Sequence, residues 1–76
     1  MGKLPVVSGL EAVHTFEKLG WSKDRRGSSR HIIMKKKGVL VALSVPEHKT
    51  LDRGLLRSLI RDAQISVDEF LAALYS

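Results

Sequence analysis

The chain predicts an α+β domain, a three-stranded antiparallel sheet with helices packed on one face, in the order αβββα plus a short last helix. Three observations carry this. Two Ser-x-x-Glu capping signatures, "SGLE" from Ser8 and "SVDE" from Ser66, mark helix starts early and late in the chain. Between them lie three short runs of strand-like composition or alternation, separated by glycine and polar residues. The stretch "RGLLRSLIRDA" then places apolar residues at helical spacing beside an arginine at every fourth position.

After Ser8, residues Leu10, Val13, Phe16 and Leu19 share one helical face. Lys18 suits the negative end of the helix and Gly20 supplies a left-handed stop, so the first helix spans about 9–19. The strands are "WSKDR", "RHIIMKK" and "VLVALSV", with a hairpin turn at Lys36-Lys37-Gly38 between the last two. Alternation puts His31, Ile33 and Lys35 on one face of the second strand and Ile32 and Met34 on the other, without saying which face is core. In the third strand Val39, Val41, Leu43 and Val45 point one way, and Pro46 ends it. The next helix buries Leu55, Leu56, Leu59, Ile60 and Ala63. The last begins at Ser66, with Ile65 and Phe70 placed as a hydrophobic staple. Residues 1–76 read as a single domain, near the lower size limit for folding without staples.

There is no cysteine, which excludes disulfides and thiolate zinc sites. The longest apolar run, Val39 to Val45, is far shorter than the roughly 20 residues a membrane helix needs. "MGKLPVVSG" lacks the apolar core of a signal peptide, and Val6 stands where a myristoylation motif needs Ser or Thr. A soluble cytoplasmic protein is expected. Lys and Arg total 13 against 8 acids, a net charge of +5. That balance suits a polyanion or an acidic protein, or simply a solvated positive surface. Phe16, Trp21, Phe70 and Tyr75 are not spaced as a base-stacking platform.

The stretch "DRRGSSRHIIMKKKG" concentrates the chemistry. His31 follows a small, polar, basic loop whose Gly27, Ser28 and Ser29 amides and hydroxyls suit a phosphate, flanked by Arg25, Arg26 and Arg30. Imidazole exchanges protons near neutrality, as general acid–base catalysis requires. Lys35 shares the strand face of His31 and is the expected phosphate contact, although a lysine run at a hairpin tip is ordinarily solvated. His48 in "VPEH" either assists proton transfer or shapes the turn after the third strand. His14 reads as a partly exposed structural residue. The three histidines lack metal-ligand spacing, so no metal and no cofactor is expected. The Arg53/Arg57/Arg61 stripe is equally a solvated helix face or a contact surface.

"KLPVVSG", "FEKLGW", the glycine–serine turn before His31, "VP.H" at Val45 to His48, "GLLRS.IR" and "ISVDEF" together resemble the HicA-type (YcfA-like) mRNA interferase toxins, from about Lys3 to Phe70. The resemblance implies a double-stranded-RNA-binding-domain-like fold and an endoribonuclease that cleaves mRNA without the ribosome. It also implies a HicB-type antitoxin partner. The family's catalytic histidine opens the second strand and is followed, after two intervening residues, by Tyr, Phe or Met. His31-Ile32-Ile33-Met34 fits that register, which carries the role onto His31. The chain departs at "GSSRH", which holds extra residues before the histidine, at Leu55, where the family usually has Thr, and at Gln64, where it has glycine. The alternative is a non-catalytic RNA- or partner-binding module of the same fold. Simple duplex binding is disfavoured, because only Arg53 stands where such domains place a lysine-rich helix start.

Overall fold

The computed structural model describes residues 3–26 and 30–76. Its elements are α1 (Gly9–Lys18), β1 (Ser22–Arg26), β2 (His31–Lys35), β3 (Leu43–Pro46), α2 (Arg53–Asp62) and α3 (Val67–Leu74). The strands form one antiparallel sheet in the order β1-β2-β3. The α+β arrangement, with three helices and three antiparallel strands, is the one the sequence predicts.

Both capping boxes form. The Ser8 and Ser66 hydroxyls accept from the Glu11 and Glu69 amides at 3.0 Å, and each glutamate accepts from the serine amide at 2.8 Å. Asp52 caps α2, its Oδ2 accepting from the Leu55 amide at 3.2 Å. Two helices also end alike. After α1, the Gly20 and Trp21 amides donate to the Glu17 and Phe16 carbonyls, with Gly20 at φ 98°. After α2, the Gln64 and Ile65 amides donate to Arg61 and Ile60. Both are Schellman closures, whose left-handed residue is ordinarily glycine. Gln64 adopts φ 63° without that freedom.

Ile32 and Met34 face the core, which settles the orientation of β2. Their cross-strand partners Val45 and Leu43 are buried with them, and the helices supply Val13, Phe16, Leu56, Ile60 and Phe70. Phe16 is central, its ring centroid 5.4 Å from that of Phe70 and 6.5 Å from that of Trp21. Ile65, just before α3, packs against this core, to which the buried Phe70 belongs.

Two expectations are corrected. The third strand does not begin at Val39. Pairing runs only from Met34↔Leu43 to His31↔Pro46, so residues 39–42 lie outside the sheet, with Leu40 fully exposed and Val41 46% exposed. A strand exists only where a neighbour supplies its hydrogen bonds, and β2 ends at Lys35. The turn at Lys37-Gly38 does form, closed by the Val39 amide on the Lys36 carbonyl at 3.1 Å, with Gly38 at φ 85°. Leu10, placed on the apolar face of the first helix, is 57% exposed; Gly9, Ala12, Thr15 and Phe16 occupy the buried stripe with Val13.

Candidate active site

Antiparallel order brings three chain segments to one end of the sheet: the exit of β1 at Arg26, the entry of β2 at His31 and the exit of β3 at Pro46. His31 is partly buried and pairs with Pro46, on the sheet face opposite the core. The preceding Arg30 is exposed and sits at φ 64°, a conformation that costs a non-glycine residue roughly 1 kcal/mol. Its carbonyl accepts from the Glu47 amide at 2.8 Å, extending the β2–β3 ladder one step past His31. That bond holds the unusual turn which delivers the chain into β2.

The "VPEH" segment is anchored from its other side by α1. The Gly9 amide donates to the His48 carbonyl at 2.9 Å, and a Cβ on Gly9 would collide with the Pro46 carbonyl oxygen. A bond from the Leu51 amide to the Val7 carbonyl, 2.8 Å, secures the chain that follows. The backbone of His48 therefore shapes this turn while its side chain stays exposed. Glycine at position 9 is required by close approach rather than by a positive φ.

Of the other residues singled out from sequence, Arg25 and Arg26 close β1, opposite Ile33 and Ile32 in register. Gly27, Ser28 and Ser29 lie outside the described residues. Lys35 occupies the far end of β2, four residues from His31 and so about 13 Å along the strand. It pairs there with Asp24 at 3.3 Å, across an irregularity between Lys23 and Arg25 that leaves Asp24 without a partner in the ladder. Lys35 and His31 share a face at opposite ends of β2. His14 is exposed in a shallow groove between α1 and α3 with Leu10, Lys18 and Leu74.

Sequence reasoning missed Gly9, Glu47 and Lys49. Gly9 and Glu47 act through backbone bonds that span distant parts of the chain, which no local pattern encodes. Lys49 is exposed and joins Arg25, Arg26, Arg30 and Arg53 in the segments that converge on the His31 end, against the acids Glu47 and Asp52. The Asp52 carboxylate is engaged as a helix cap. Among the described side chains there, exposed Arg30, Lys49 and Arg53 outnumber the acids, with His31 and His48 in the same segments, a composition suited to holding a phosphate beside a proton carrier.

The family described as the HicA toxin of bacterial toxin–antitoxin systems matches residues 9–65, three quarters of the chain and every element from α1 to α2. The chain belongs to the HicA toxin family. It is thus a toxin-type domain of a toxin–antitoxin pair, and the family points to an antitoxin partner. No curated protein and no solved structure gives a significant match. The matched span covers the Gly9 contact, the His31 strand and the "VPEH" turn, so the elements of the candidate site all fall within the HicA region. No helix among the described residues is long and apolar enough to cross a membrane.

Proposed function

We propose that this HicA-family toxin is a ribosome-independent endoribonuclease of mRNA, that His31 is its acid–base residue, and that a HicB-type antitoxin holds it inactive. The observation that carries the reading is the position of His31. It is the one partly buried histidine, set at an end of the sheet rich in cations and braced by backbone bonds on both sides.

The reaction needs only the substrate's own nucleophile. The ribose 2′-oxygen forms a bond to the adjacent phosphorus as the bond from phosphorus to the 5′-oxygen breaks. One proton leaves the 2′-OH and one reaches the departing 5′-oxygen. His31 makes one of these transfers, and exposed His48 is the candidate for the other. Arg30 and its cationic neighbours stabilise the charge that builds on the phosphorane. The products are a 2′,3′-cyclic phosphate and a 5′-OH end, and DNA, which lacks the 2′-OH, resists. This reading needs no cofactor and treats residues 1–76 as a single cytoplasmic toxin domain.

The test compares wild type with His31→Gln and His31→Ala. Cleavage of RNA by the purified proteins should fall by roughly 10²- to 10⁴-fold on substitution, with RNA binding retained and cyclic-phosphate ends found only for the wild type. Expressed in a growing bacterium, the wild type should arrest growth and degrade message while the variants do neither. Undiminished cleavage by the variants would remove His31 from catalysis. If the wild type binds RNA but never cuts it, the chain is a binding module.

A further inference from the structure

Arg53, Arg57 and Arg61 are all exposed on α2, and none has a hydrogen-bond or ion-pair partner among the described residues. They recur at one-turn intervals over about 12 Å of helix. The apolar residues of α2 are turned inward, with Leu56, Leu59 and Ile60 buried and Leu55 half-buried. The outer face is therefore cationic and has no apolar or aromatic anchor. Arginines also anchor protein interfaces, but there in a desolvated centre among apolar and aromatic groups, whereas a sugar–phosphate backbone needs only spaced cations.

The position of the stripe gives it a direction. Leu51, two residues before Arg53, is bonded to Val7, and Gly9 is bonded to His48 and pressed on Pro46, the strand partner of His31. These bonds tie the loop before α2 to the His31 end, but α2 packs on the core side of the sheet and His31 lies on the opposite face, so a strand that meets both must round that end of the molecule.

We infer that the Arg53/Arg57/Arg61 face is a backbone track for single-stranded RNA, holding phosphates of the strand some nucleotides away from the one presented to His31. This rests on the ribonuclease reading. The track would supply affinity without base preference, leaving sequence selection to residues near the site.

Binding is measured on the full chain carrying His31→Gln, so that a labelled oligouridylate survives, over a series of salt concentrations. Arg57→Gln with Arg61→Gln should weaken binding and lower the slope of log affinity against log salt by about 0.7 per arginine removed. Arg57→Lys with Arg61→Lys should keep the slope. Thermal melts of the exposed-site variants should match the parent. If the glutamine pair binds the oligouridylate with the parent's affinity and slope, the track is wrong while the ribonuclease reading stands. If the pair loses the antitoxin but keeps RNA, α2 is a protein-docking face and the proposal is overturned. If the parent itself binds no RNA, the ribonuclease reading fails and takes the track with it.

Discussion

At the end of the sheet that holds His31, backbone hydrogen bonds join segments distant in sequence: Gly9 to His48, Glu47 to Arg30 and Leu51 to Val7. At the opposite end the described bonds are local, from Gly20 and Trp21 to Glu17 and Phe16 just before β1 and from Val39 to Lys36 past β2, and the chain then runs through the exposed Leu40 and Val41 before β3 starts. The side-chain tie at that end is the exposed Lys35–Asp24 pair. Both ends carry clustered cations, so charge alone does not distinguish them. What differs is how firmly the backbone is held. Reacting groups must be kept within fractions of an ångström of their working geometry, and only the first end is built for that.

The sharpest way to break this contrast is Gly9→Ala. Its methyl must displace the Pro46 carbonyl, and such overpacking typically costs about 1–3 kcal/mol. A lower denaturant midpoint and slower RNA cleavage with His31 intact are expected. A variant as stable and as active as wild type would show that α1 does not seat the strand end. Gly38→Ala probes the other end. Nothing lies within 4 Å of the added methyl, but φ 85° disfavours it by about 1 kcal/mol. Stability should drop while the cleavage rate per folded molecule stays unchanged. Lys35→Ala should have the smallest effect, under about 0.5 kcal/mol on unfolding for an exposed pair. KM for RNA should rise modestly with kcat preserved; a large fall in kcat would mean that Lys35 reaches the reacting phosphate despite its distance.

The helices were legible because their signals are local. Ser8/Glu11, Ser66/Glu69 and Gly20 lie within a turn of the ends they define. The extent of β3 was not legible, because Val39–Val45 alternates like a strand and only the length of β2 decides where pairing stops. The Asp24 irregularity has no sequence mark either. In the site, His31 could be picked out by its basic, hydroxyl-rich approach and by the family register. The contacts that brace it could not, since they join residues from position 7 to position 51 through main-chain atoms. The arginine stripe was visible as a pattern, but its lack of partners and its buried apolar side required the fold.

The glutamine at the end of α2 also bears on how these variants should be made. Gln64 does the work of Gly20 at a positive φ, 63° against 98°, without a glycine's freedom. Gln64→Gly should therefore raise stability by about 1 kcal/mol, which for a chain of this size moves the melting temperature up by roughly 4–8 °C. The change sits at the α2–α3 junction, away from the His31 end. It offers a sturdier background in which damaging substitutions around His31 stay folded, so that a lost activity can be read as lost chemistry.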